Sequence, residues 1–320
     1  MSSVANQCDT LIPVSITMLT QASALGVNIY LCAKPNDPPV LFCSALNSID
    51  IARVERLQSE GITKLYIHPD DREKYQTHLR DSWQDLLADE QRPTVDCASV
   101  MSEVIRDVLK EQFATGTTES IVETCKQFGT ATAKVLGREP VVLKELARVL
   151  HHDYGTFTHS ANVAAYAVLL GQALGYSLDD LEQLAAGGLL HDLGKLEISD
   201  RILNKPGKLA EEEMNEIRLH PIRGLERVAH RSDLSEGQLM MIYQHHERCD
   251  GSGYPVGSNR HEIHPWGRLC AIVDVYEALT SVRPYRRSLS NQTAITILER
   301  GRGSEFDEEM LSCWLHLMSV

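Results

Sequence analysis

The rhythm of apolar positions changes near residue 70. Before that point the runs are short. "LIPVSITML", "GVNIYLCA" and "PPVLFCSAL" are rich in β-branched or aromatic residues and are broken by Pro, Asn and Asp, the pattern of strands separated by turns. A further run, "KLYIHP", reads as one more strand. The stretch "SIDIARVERLQSEG" reads as a helix: Ile51, Val54 and Leu57 share a face, Ser48 or Asp50 caps the start, and Gly61 stops it. Residues 1–70 are therefore expected to form a small α+β domain with no chemical constellation in it.

From Asp70 onward the period turns helical. "DDREKYQTHLRDSWQDLLADE" is amphipathic and strongly charged, as a solvated linking helix is, and further helices are predicted around Ser99–Phe113 and Thr118–Leu136. Val163–Tyr176, a run of about 14 residues containing Gln172, reads as a buried core helix, shorter than the roughly 18 apolar residues that span a bilayer. The expected organisation is an accessory or sensory α+β domain (1–70), linking helices (71–140) and an all-α domain (141–320), so the fold class is mainly α. The start, "MSSVANQCDTL", has no basic segment ahead of an apolar one, so no signal peptide is expected. Residues 1–70 also lack the acidic cluster and later aspartate of a phosphoacceptor receiver.

Composition narrows the partners. Hydrophobic residues make up 43% and charged residues 23%, ordinary for a soluble globular chain. Net charge is −13, the wrong sign for a nucleic-acid polymer. A small anion is still acceptable where local arginines or a metal overrule the global field. The eight cysteines are scattered with no C-x-x-C pair, and are expected to be reduced thiols in a cytoplasm.

Chemistry concentrates in the helical part, at "TFTHSANV" (His159), "GGLLHDLGKLEI" (His191, Asp192, Lys195), "IRLHPIRG" (His220), "YQHHERCDGSGYP" (His245, His246) and "CAIVDVYEAL" (Asp274). Any one histidine on an amphipathic helix is commonly a packed or surface residue, and His68, His78, His230, His261, His264 and His316 are left in that class. The joint pattern says more. Asp192 and Asp274 stand in apolar runs, where a carboxylate is costly unless paired or bound to metal. Imidazoles and carboxylates together suit zinc, iron or manganese. Helical neighbours point about 100° apart, so the pairs His191–Asp192 and His245–His246 are expected to serve two ions a few ångströms apart rather than to converge on one. Two metals with nearby cations point to phosphoester hydrolysis, and Lys195 is placed to meet a phosphate oxygen or the leaving group.

The ordered series "HDLGK", "KPGKL" (Lys205–Leu209), "HP" with Gly224 four residues on, "HHERCDGSGYP" and "RPYR" (Arg283–Arg286) resembles the HD-GYP domain, a branch of the HD metal-dependent phosphohydrolases, over roughly Lys144–Asp307. The resemblance implies an HD-type helical bundle. It implies metal ligation by His159, His191, Asp192, His220, His245, His246 and Asp274, with Asp192 bridging two ions, iron or manganese, and a hydroxide between them attacking phosphorus. The implied substrate is cyclic di-GMP, cut to linear pGpG and in some members on to GMP. Tyr254 is implied to lie beside the substrate, in a tight turn made by Gly251 and Gly253, and Arg283 and Arg286 to contact phosphate. Some members carry a third-metal glutamate where this chain has Gly155, so two ions are expected here. Glu277 stands where many members have aspartate and keeps the carboxylate. Protein partners at the Gly-Tyr-Pro surface and a homodimer stay open. So do two other readings: a cyclic-dinucleotide receptor or interaction module with little turnover, and a hydrolase of another cyclic dinucleotide such as cyclic GMP-AMP.

Overall fold

The computed structural model of the chain describes every residue outside 1–9, 20–25, 33–37, 63, 76, 79–92, 139–155, 204, 206, 282–287 and 320. It divides into two compact units, Met1–Val100 and Met101–Val320.

In the first unit the strand-like runs become β1 (Ile12–Ser15), β2 (Ile29–Leu31), β3 (Val40–Cys43) and β4 (Lys64–Ile67). They form an antiparallel sheet of order β1-β4-β2-β3. Val14, Ile29, Leu65 and Ile67 are buried from it, following the two-residue alternation of a strand. Helix α1 (Ile51–Ser59) buries Val54 and Leu57, and of the two candidate caps it is Asp50 whose side chain accepts the Arg53 N–H. Gly61 follows the helix with φ +82°, the left-handed conformation that ends a helix without steric cost. The charged segment after Asp70 begins as a 3-10 turn (Pro69–Asp71), and its remainder from residue 79 to 90 lies outside the described residues. Cys43, Cys97, Cys125, Cys249, Cys270 and Cys313 are free thiols, but Cys32 is disulfide-bonded, which corrects the expectation of a fully reduced set.

Helix α2 (Thr94–Thr115), in which the division falls, starts earlier than predicted, whereas α3 (Thr118–Leu136) matches its predicted range. The helical unit continues with α4 (Thr156–Ala173), α5 (Leu178–Leu190), a 3-10 turn (Leu193–Glu197), α6 (Asp200–Leu203), α7 (Glu211–Arg218), α8 (His220–Val228), α9 (Glu236–Gln244), α10 (Pro265–Thr280), α11 (Asn291–Arg300) and α12 (Glu308–Ser319). Residues 158–171 of α4 are all buried, the environment of a helix apolar on every side. Helices α3, α5, α10 and α12 pack around it. Tyr166, Tyr276 and Trp314 lock α4, α10 and α12 together edge to face, with ring centroids 5.0–5.6 Å apart. Among the described residues no helix is long and apolar enough to cross a membrane.

Candidate metal centre

The predicted site residues come from five places in this bundle, mostly at helix ends. His159 lies in the first turns of α4. His191 and Asp192 follow the last residue of α5, His220 opens α8, His245 and His246 follow the last residue of α9, and Asp274 sits within α10. His159, His191, Asp192, His220, His245 and Asp274 are buried. Gly194 lets the turn after Asp192 press against α8: a Cβ there would lie 1.9 Å from the His220 carbonyl oxygen.

Backbone carbonyls dictate how the imidazoles face. A carbonyl only accepts, so a ring nitrogen against one carries the proton. His191 Nδ1 donates to Gly188 O (2.7 Å), His220 Nδ1 to Ile217 O (2.8 Å) and His245 Nδ1 to Met241 O (2.9 Å). His159 Nδ1 is held by the buried Glu277 carboxylate, which also accepts from Asn162 (3.1 Å) and from the Ser281 hydroxyl. Each of these four rings therefore turns Nε2 inward. His159 Nε2 and His191 Nε2 stand 3.2 Å apart, and His220 Nε2 and His245 Nε2 stand 3.1 Å apart. In their neutral forms these are opposed lone pairs, which repel unless a cation or proton lies among them.

Asp192 stands between the two groups. Its Oδ1 is 3.3 Å from His220 Nε2 and 3.9 Å from His245 Nε2, and its Oδ2 is 3.4 Å from His191 Nε2 and 3.6 Å from His159 Nε2. Asp274 Oδ1 lies 3.1 Å from His159 Nε2. Lys195 Nζ pairs with Asp192 Oδ2. Asp192 Oδ1 is buried with no hydrogen-bond partner. Two clusters of ligand atoms result, His159–His191–Asp192 and His220–His245–His246, each with its atoms within 4.8 Å of one another.

The clusters correct the expected divergence of adjacent residues. His191 and Asp192 share one cluster and His245 and His246 the other, in the residues that directly follow the ends of α5 and α9. His246 lies past the α9 cap, with its ring 4.1 Å from that of His245.

Electrostatics keep most of the donors ready. Burial pushes His220 down to about 3 and His246 down to about 4, and with the neighbouring rings it holds His245 well below the ordinary imidazole range. Burial alone would raise Asp192 and Asp274, but Lys195 and His191 around the first and His159 beside the second outweigh it, so both stay well below the usual carboxylate range. Burial also opposes charge on His159, yet Glu277 and Asp274 overcome it and lift the group to about 10. The carboxylates that favour a proton there equally favour a bound cation. The orphaned Asp192 oxygen, the opposed Nε2 pairs and the N/O donor set fit divalent metal ions.

The Gly-Tyr-Pro segment folds back over this centre. The Tyr254 ring stacks on His246 (centroids 4.7 Å apart, 26° between planes), and its N–H donates to His246 O (3.1 Å). Gly251 takes φ +79°. Gly253 permits a close approach, since a Cβ there would lie 2.4 Å from Arg248 N. Glu247, which the sequence reading did not single out, is buried, and its carboxylate accepts the N–H groups of Val256 (2.8 Å), Gly257 (3.0 Å) and Ser258 (2.9 Å). Its place directly after the histidine pair is the only signal the sequence offers. In the sequence Glu277 is only a retained carboxylate, and its grip on His159 comes from the fold. Arg283, Arg286 and Gly155 lie outside the described residues.

Comparison with known proteins agrees with this geometry. The family described as "HD domain" matches residues 139–310, more than half of the chain. Cyclic di-GMP phosphodiesterase PA4108 of Pseudomonas aeruginosa is 34% identical over 189 residues, covering 59% of this chain and 45% of that protein. 3'3'-cGAMP-specific phosphodiesterase 3 of Vibrio cholerae is 36% identical over 154 residues, covering 48% of this chain and 33% of that protein. The chain thus spans less than half the length of either relative. The solved structure of Bd1817, a HDG"Y"P protein from Bdellovibrio bacteriovorus, shares the fold with a TM-score of 0.67 at 19% identity, covering 97% of this chain and all of that one. With the ordered HD and Gly-Tyr-Pro motifs folded onto one centre, the chain belongs to the HD domain family, in its HD-GYP branch.

Proposed function

We propose that the chain is a phosphodiesterase that hydrolyses cyclic di-GMP to linear pGpG at a two-metal centre holding iron or manganese. The observation that carries this reading is Asp192, whose two oxygens face one histidine cluster each. His159, His191 and Asp274 with Asp192 Oδ2 would hold one ion, and His220, His245 and His246 with Asp192 Oδ1 the other. Two such ions supply Lewis acidity to the phosphoryl oxygens and a water acidified to near neutral pH. The chain's own residues do the rest. Asp192 stays ionised between the clusters because Lys195 and the imidazoles offset its burial. Lys195, a quarter exposed, brings positive charge to the edge of the centre, where a phosphate oxygen or the departing oxygen would meet it. Tyr254 packs over His246 and shields that side from water. Arg283 and Arg286 are proposed to contact phosphate, and Gly155, without a side chain, to leave no third ligand set. The relatives named for cyclic di-GMP and for 3'3'-cGAMP support a cyclic dinucleotide as substrate, and cyclic GMP-AMP is the second reading.

The test loads the purified chain anaerobically with Fe(II) or Mn(II) and follows cyclic di-GMP and cyclic GMP-AMP in competition by chromatography. The expected outcome is preferred conversion of cyclic di-GMP to pGpG with two ions per chain. Asp192→Ala removes both ions and turnover. Absence of linear product at good metal occupancy, three ions per chain, or full turnover by Asp192→Ala would each overturn a named part of the reading.

A further inference from the structure

Arg218 is the last residue of α7, two positions ahead of His220 and exposed. Its guanidinium carbon lies 5.9 Å from the centroid of the Tyr254 ring, the ring that stacks on His246. A cation in that position is one ring's breadth outside the metal clusters. Several other basic residues among the described ones are already paired. Lys195 pairs with Asp192, Lys205 with Glu213, Arg223 with Glu216 (2.7 Å) and Arg248 with Glu305 (3.4 Å). Arg218 forms no ion pair with a carboxylate among the described residues, and its side-chain contact is a long Nη1 hydrogen bond to Asn215 (3.4 Å). The ring face is a favourable neighbour for the cation, and among the described residues no carboxylate takes up its N–H groups.

A cyclic dinucleotide carries two phosphodiesters, and only one can react at the metal centre. The other, a monoanion of its own, must lie outside it and needs a counter-charge at the rim. We propose that Arg218 is a substrate-binding residue that takes the non-scissile phosphodiester of a cyclic dinucleotide. The inference rests on the phosphodiesterase reading above. It adds a selectivity device: a substrate with two phosphodiesters gains a contact that a simple diester does not.

The test is Arg218→Gln in the full chain, loaded with Mn(II) and compared with the unaltered chain on cyclic di-GMP and on bis(p-nitrophenyl) phosphate, a diester with one phosphate. Loss of a charge-assisted contact is expected to raise KM for cyclic di-GMP about ten- to a hundred-fold, with kcat little changed. Parameters on bis(p-nitrophenyl) phosphate and the metal content are expected to hold. Arg218→Lys should recover part of the loss, keeping charge but not the fork. Cyclic di-AMP, as substrate or competitor, should weaken by the same factor as cyclic di-GMP. An unchanged KM for cyclic di-GMP overturns the proposal. An equal loss on the simple diester overturns it in favour of a structural role through Tyr254, and a loss confined to cyclic di-GMP overturns it in favour of a guanine contact. If the unaltered chain turns over no cyclic dinucleotide, the phosphodiesterase reading itself fails and takes this one with it.

Discussion

Glu247 is the residue whose removal separates the two halves of the site. Its carboxylate receives three consecutive backbone N–H groups, from Val256, Gly257 and Ser258, at 2.8–3.0 Å. Hydrogen bonds to a charged acceptor contribute about 1.5–3 kcal/mol each. The Val256 side chain is 65% exposed, so water can meet that amide when the carboxylate goes, whereas Ser258 is buried. Discounting accordingly, Glu247→Ala should lower the local order of the Gly-Tyr-Pro segment by about 2–4 kcal/mol, roughly a 30- to 800-fold change in its opening equilibrium. Amide hydrogen exchange reads this directly, as lost protection at residues 254 and 256–258 with α9 and α10 unaffected. Because Tyr254 rides on the same segment, turnover of cyclic di-GMP should fall by at least tenfold. The ions should remain, since the rings of His220 and His245 are fixed by backbone carbonyls and not by this segment. Glu247→Gln should be intermediate: its amide oxygen still accepts, but its NH₂ faces N–H donors. Unchanged protection at 256–258, or metal lost in step with activity, would refute the reasoning.

Among the proposed ligands Glu277 holds His159, so Glu277→Gln should weaken ion binding about 10- to 100-fold, read by chelator competition, and an unchanged affinity would show that it does not orient the ring. Asp307 offers a pH test remote from the metals. Its carboxylate accepts from Arg260 (2.8 Å) and Arg268 (2.6 Å) and from the N–H groups of Glu309 and Met310 (3.1 Å each). Burial pushes it up, but these donors outweigh burial and hold it below the usual range. A depressed carboxylate contributes stability above its unfolded value of about 3.9 and loses it as pH falls through the folded value. Asp307→Asn should therefore be less stable at pH 7 by about 2–3 kcal/mol. The gap in Tm should close as pH drops below about 4, and a constant gap down to pH 2.5 would contradict the assignment.

Much of the helical body was legible because it depends on local periodicity. Thr118–Leu136 reads as a helix from its apolar spacing and is one, and the apolar run after His159 is buried on every side. The residues of the centre were legible for a different reason. Carboxylates in apolar runs and side-by-side histidines violate what a packing helix wants, and such violations mark sites. What stayed out of reach depends on contacts made across the fold. The Glu247 partners lie nine to eleven residues downstream, in a segment without periodicity. The hold of Glu277 on His159 spans 118 positions. The disulfide at Cys32 has no spacing signature.

The place of the ligands at helix ends bears on how the centre works. Helices α5 and α9 both stop just before their histidines. Carbonyls of their last turns, Gly188 and Met241, take the Nδ1 protons of His191 and His245. One event therefore does two things. Ending the helix beside the ligands places backbone acceptors where they set each tautomer, and it aims the negative end of the helix dipole at the place where cations are wanted.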